Sequence, residues 1–170
     1  ARIRKTLLFL NEYETFMSYL VEDINKFIKE CAKLNKLPCL RLNGTSDIQW
    51  EHQEYKGKTV FEMFPQIQFY DYTKIPTRKV EGITNYHLTW SYSEANEKYS
   101  KLFDTVPNNK AVVFRNFLPS MFKDVKVIDG DEHDMRFLDE PNVVVGLKAK
   151  GKAKKDSSGF VIDLIEARAI

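Results

Sequence analysis

The chain has 170 residues, 43% hydrophobic, 13% aromatic and 29% charged, with a formal net charge of +2. That length suits one domain able to bury roughly two-thirds of its unfolded surface, and so much apolar and aromatic content excludes intrinsic disorder. A charge this close to balance does not by itself argue for a nucleic-acid or membrane partner, and no apolar run reaches the ~20 residues that cross a bilayer.

Two cysteines, Cys31 and Cys39, make no disulfide framework and read as reduced core thiols. With no signal peptide in view, the expectation is an intracellular protein. The chain begins at Ala1 rather than Met, which reads as processing or as a piece of something longer. The expected organisation is one α/β domain over residues 1–170.

Residues 5–10 (Lys-Thr-Leu-Leu-Phe-Leu) predict a short buried strand. Phe16, Leu20, Ile24, Phe27, Ile28, Cys31 and Leu34 then recur at three- and four-residue spacing. They predict one amphipathic helix over 12–34, capped by Asn11 with Glu14 three residues on, and packed on a sheet. Further strands are predicted at 39–42, 67–72, 86–92, 111–114, 125–128 and 143–147, with a helix capped by Ser93 running to Phe103. Short Val- and Ile-rich runs without strict alternation suit strands buried on both faces. The fold expected is therefore α/β with a mainly parallel sheet, closing into a partial or TIM-like barrel with flanking helices. Residues 148–158, basic and small, predict a mobile loop.

In parallel α/β folds ligands sit beyond the carboxyl ends of strands, so the residues that follow each strand are the site candidates. These are Asn43, Ser46 and Asp47, then Asp71, Thr73, Lys74 and Arg78. Ser91 stands in alternation with Thr89 and Ser93, and Asp129, Asp131, Lys148 and Lys150 follow the later strands. Arg41, Lys74, Arg78, Lys148 and Lys150 are suited to holding phosphates. Asp47, Asp71 and Asp129, with Lys74, are suited to acid–base work. Asp129 and Asp131 are the metal candidates, Mg²⁺ being the ion their oxygens favour. The twelve-residue calcium loop does not fit there, because Asp134 stands where that loop needs glycine. Gly57-Lys58-Thr59 resembles the end of a phosphate loop, but His52 occupies the partner glycine's place and no strand leads in. His52, His87 and His133 show no metal-ligand spacing, and His87 reads as a packed histidine.

Three segments carry a family resemblance: 41–48 (Arg-Leu-Asn-Gly-Thr-Ser-Asp-Ile), 69–74 (Phe-Tyr-Asp-Tyr-Thr-Lys) and 85–89 (Asn-Tyr-His-Leu-Thr). Their order and spacing across roughly residues 1–95 resemble phage- and plasmid-borne proteins related to the "gene product 88" family. In that family an Arg-x-x-x-Ser-Gly-Asp-like segment precedes an aromatic-Tyr-Thr-Lys segment; here serine stands directly before Asp47, the glycine having moved forward. The resemblance implies a viral or mobile-element protein of the host-cell cytoplasm with an α/β-barrel fold, and supplies no reaction. It also implies an upstream cysteine-bearing region reminiscent of radical-SAM enzymes; this chain has no Cys-x-x-x-Cys-x-x-Cys.

Three function classes remain open, one of them a structural or host-interaction protein, on which the sequence is silent. A second is an enzyme domain acting on a phosphate-bearing substrate, a nucleotide or nucleic acid, at the carboxyl rim of the sheet. The third is a non-catalytic nucleic-acid-binding or replication-associated module, in which Tyr70, Tyr72, Trp90 and Tyr92 are the aromatics available for base stacking. No membrane partner is expected.

Overall fold

The computed structural model describes residues 2–164. Its elements in chain order are helices α1 (Arg2–Asn11) and α2 (Tyr13–Lys33), strands β1 (Cys39–Leu40), β2 (Glu54–Tyr55) and β3 (Lys58–Thr59), and helix α3 (Val60–Met63). Strands β4 (Gln68–Thr73) and β5 (Tyr86–Ser91), helix α4 (Glu97–Ser100), then β6 (Lys110–Phe114), β7 (Met121–Phe122), β8 (Val125–Asp129), β9 (Val144–Lys148) and β10 (Val161–Ile162) follow. The principal sheet orders as β1-β4-β5-β6-β9-β8-β7. The pairs β1/β4, β5/β6, β6/β9 and β8/β9 are parallel, and β7/β8 at one edge is antiparallel.

The mostly parallel α/β expectation holds, but a TIM-like barrel does not. The path ends at β1 on one side and β7 on the other, so the sheet is open. Strand β6 has an unusual flank. Lys110 and Ala111 pair with Trp90 and Ser91 of β5, whereas Val113 and Phe114 pair with Val161 and Ile162 of β10. Where β5 ends, β10 takes over its place beside β6, and the chain leaving β5 is free to turn away.

The chain forms two compact units. The first takes residues up to 41, 48–69 and 81–86; the second takes 42–47, 70–80 and 87 onward. In the first, residues 2–11 are a helix and not the predicted strand. A continuous Leu-Leu-Phe-Leu run does not distinguish the two by periodicity, and leucine, arginine and lysine favour helix where β-branched residues do not dominate. Helix α2 is as predicted in extent, but Glu12 is its N-cap without a side-chain bond, because Asn11 still belongs to α1. Its buried residues are Met17, Ile24 and Cys31, while Leu34 is exposed. Phe16 meets Phe9 of α1 at 5.2 Å and stacks on Trp50 at 6.5 Å. Asn35, at φ +51°, ends the helix, with Lys36 N–H donating to Cys31 O at 2.9 Å.

The Gly57-Lys58-Thr59 segment proves to be local structure. Lys56 and Gly57 have φ of +52° and +74° and form the turn of the β2/β3 hairpin. Thr59 then caps α3 in a reciprocal box with Glu62. In the second unit the core gathers Trp90, Tyr92, Phe103, Val112, Phe114, Phe122, Val144 and Ile162. No described helix is long and apolar enough to cross a membrane.

Candidate functional site

Strand β4 alternates half-buried and buried residues, with Phe69, Asp71 and Thr73 on the buried face. A polar chain continuing a buried face must find partners, and the 42–47 loop supplies them. Asp71, fully buried, accepts the Asn43 amide N–H on Oδ1 at 2.7 Å and Asn43 Nδ2 on Oδ2 at 3.3 Å. Ser46 Oγ donates to Asn43 Oδ1 at 2.8 Å. At the other end of the loop, Asp47 Oδ1 accepts from Thr73 Oγ1 at 2.8 Å and from Arg78 at 3.1 Å, and its Oδ2 accepts from the Lys74 amide at 2.7 Å. The Arg78 side chain is only 1% exposed, so this ion pair is shielded on the arginine side. The two aspartates clamp the loop to the end of β4 and set the turn from which Lys74 projects. Asp71 is thus an interior group of the strand rather than the rim residue predicted from its position.

Beyond this clamp, the carboxyl ends of β4 and β5 open into a recess of about 340 Å³ within the second unit. Lys74, Trp90, Ser91, Ser93, Ala95, Asn96, Tyr99, Ser158 and Phe160 line it. The recess exists because the chain diverges after β5 while residues 158–160 lead into β10 on the other side. Gly159 joins the two walls: its carbonyl accepts the Glu94 and Ala95 amides at 3.0 and 3.2 Å. Only glycine fits there, since φ is +90° and a Cβ would stand 2.9 Å from Ala95 N. Lys74 Nζ lies 5.6 Å from the Phe160 ring centroid. Trp90 is 1% exposed, and among the described residues neither its indole N–H nor the buried Thr89 hydroxyl has a hydrogen-bond partner.

A second, shallower recess at the ends of β8 and β9 is lined by residues 116–120 and 127–129 with Lys148. Here Asp129 Oδ2 lies 3.8 Å from Lys148 Nζ, and Asp129 Oδ1 accepts the Asp131 amide at 2.9 Å. Asp131 accepts Lys150 Nζ at 2.8 Å and the Lys148 amide at 3.1 Å, and the Lys150 bond holds its carboxyl below the usual range. Among the described residues no group of three or more His, Cys, Asp or Glu side chains is placed to hold a metal. The basic segment, predicted as a loop, contains regular structure and makes contacts. Residues 151–155 form a 3-10 turn, Ala149 is buried, and Arg115 donates to the Lys154 and Asp156 carbonyls and pairs with Asp163.

The predicted residues therefore divide into groups. Asn43, Ser46, Asp47, Asp71, Thr73, Lys74 and Arg78 come together at the end of β4, and Lys74 and Ser91 face one recess. Asp129 and Lys148 line the other recess, with Asp131 and Lys150 beside them. Arg41 belongs to the first unit and is half-buried. Sequence reasoning missed Asn96, Tyr99, Ser158 and Phe160. The positive-φ Gly159 was their one local signal, and its meaning depends on what it touches.

Near His87 of β5 lies a charged cluster. Arg136 is 0% exposed; its Nε stands 3.4 Å from Asp139 Oδ2, close enough for an ion pair but not aligned for a hydrogen bond. Burial raises the Asp139 carboxyl above its usual range and pushes the His87 imidazole below its own. Among the described residues His87 Nε2 has no hydrogen-bond partner.

The chain's two cysteines, both free, fall short of the three that a Cys-x-x-x-Cys-x-x-Cys iron–sulfur site needs. No curated protein and no solved structure matches the chain. The family profile described as Gene product 88 matches residues 1–164. With nearly its whole length covered, the chain belongs to the gene product 88 family.

Proposed function

We propose that this phage-type protein binds a phosphate-bearing small molecule of nucleotide size in the recess at the ends of β4 and β5. The observation that carries this reading is the composition of the lining. Among the described lining residues the cation Lys74 shares the recess with the hydroxyls of Ser91, Ser93 and Ser158, the Asn96 amide and the rings of Tyr99 and Phe160, beside the buried Trp90. Cations and hydroxyls suit phosphate oxygens, and aromatic faces suit a base. A volume of about 340 Å³ falls within the roughly 300–1,000 Å³ of small-molecule sites.

On this reading Lys74 contacts the ligand, and Asp47 and Asp71 are positioning residues whose carboxylates hold the 42–47 loop and the Lys74 turn. The described residues lining the recess include no carboxylate or imidazole, and the reading assigns binding. Phosphate-bearing metabolites are abundant in the host cytoplasm, where free thiols such as Cys31 and Cys39 also persist.

Calorimetric titration with a panel of nucleoside mono-, di- and triphosphates and the matching unphosphorylated nucleosides tests the reading. Binding is expected only for the phosphorylated members, and Lys74→Met is expected to weaken it at least tenfold. Equal affinity for nucleosides, or full affinity in Lys74→Met, overturns it.

A further inference from the structure

The first unit leaves one helix face uncovered. On α1, Phe9 turns inward to Tyr13, Phe16 and Trp50. On the far side Ile3, Leu7 and Leu10 are 78%, 51% and 67% exposed. Three large apolar side chains in solvent on a helix of 10 residues make a patch of the kind that marks an interaction surface.

Beside them runs a groove lined by Ile3, Arg4, Leu7, Leu8, Asn11 and Glu12. Two rows at four-residue spacing compose it, 3-7-11 along α1 and 4-8-12, whose last member Glu12 follows α1 and donates its amide to Leu8 O. The second row reads cation, leucine, anion, with Leu8 midway. Neither Arg4 nor Glu12 has an ion-pair partner among the described residues, and all six lining residues lie in one compact unit.

A second copy of this helix complements the row. Laid antiparallel about a two-fold axis through Leu8, each Arg4 meets the other chain's Glu12, and the symmetry makes the pair twice. Laid parallel, Arg4 meets Arg4 and Glu12 meets Glu12, so both contacts repel. We propose that α1 is a self-association face on which two copies of this chain pair antiparallel. The Ile3, Leu7 and Leu8 side chains form its apolar centre, and the Arg4–Glu12 pairs select its direction.

Sedimentation velocity of the full chain over a concentration series tests this, with circular dichroism confirming that each variant keeps its helix content. The wild-type chain is expected to form a dimer, and Leu7→Glu to remain a monomer. Arg4→Glu and Glu12→Arg alone are each expected to weaken the dimer roughly tenfold, since two attractive pairs become repulsive together. The double variant Arg4→Glu/Glu12→Arg is expected to restore it, because the two-fold axis exchanges the signs. That rescue needs no change to the apolar residues, so it decides the matter even if Leu7→Glu disturbs the fold. A wild-type chain that stays monomeric throughout, or a double variant no better than the singles, overturns the proposal. A monomer whose α1 is instead covered by a different protein is one such overturning result.

Discussion

The carboxylate of Asp47 accepts a 2.7 Å hydrogen bond from the backbone amide of Lys74, across 27 positions of sequence. The same carboxylate holds the Thr73 hydroxyl and the buried Arg78, and Thr73 Oγ1 accepts the Ile75 amide at 3.1 Å. One side chain thereby determines the path of the turn that carries the recess cation. Asp47→Asn keeps the volume but removes the charge opposite Arg78. A loss of about 1–3 kcal/mol in urea unfolding is expected, with weakened nucleotide binding beside it. Lys74→Met, on an exposed side chain, is expected to lose binding with stability changed by less than about 0.5 kcal/mol. The contrast between the two variants separates positioning from contact.

Asp71→Asn replaces an acceptor by a donor directly opposite Asn43 Nδ2. Asn43 N–H keeps its partner on Oδ1, but two N–H groups then face each other in a fully buried place. The expected cost is about 1–3 kcal/mol, read as a lower melting temperature. An Asp71→Asn protein as stable as wild type would show that the Asn43 contact contributes nothing.

Gly159→Ala forces a side chain into a left-handed backbone and against Ala95 N. Destabilisation by at least about 1 kcal/mol is expected, with a larger proportional loss of nucleotide affinity because the glycine joins the two walls. Gly82→Ala, where an added Cβ meets nothing within 4 Å, is the control and should leave both unchanged.

His87 and Asp139 give opposed pH dependences. Burial lowers the His87 pKa, so below about 6.5 the unfolded chain takes up a proton that the folded one refuses, and stability falls as pH drops through that window. Burial raises the Asp139 pKa, so the folded chain holds a proton above about 3.9 that the unfolded one releases. There stability falls as pH rises towards the folded value. Melting temperatures between pH 4 and 7 should therefore steepen with pH in Asp139→Asn and flatten in His87→Gln. Parallel curves for all three proteins would show that neither group is linked to folding.

Asp131 and Lys150 form a contact that is 22% exposed on the acid and 74% on the base. A pair so open is worth at most about 1 kcal/mol, so Asp131→Asn should cost less than that, and less still at high salt. Because lysines already occupy the Asp131 carboxylate and approach that of Asp129, Mg²⁺ in place of chelator should not raise the melting temperature. A rise that disappears in the Asp129→Asn variant would instead establish a cation site there.

Much of this was determined by residue pattern alone. The three- and four-residue spacing from Phe16 to Cys31 specifies α2, because a helix buries one stripe whatever lies beneath it. The Val- and Ile-rich runs specify parallel strands, because strands covered on both faces need no polar alternation. That rule in turn located Lys74 and Ser91 at strand ends, which parallel direction brings to a common rim. Other features depend on distant chain. Residues 5–10 are a helix whose Phe9 packs on Trp50, a contact no local window contains. Asp71 is interior because the 42–47 loop folds over it, and the 148–158 segment meets Arg115 and Asp131, both distant in sequence. The recess itself arises where β10 replaces β5 beside β6, bringing Ser158 and Phe160 to a wall begun at Ser91. Strand order is set by which hydrophobic faces can be buried together, a property of the whole chain that neither periodicity nor spacing expresses.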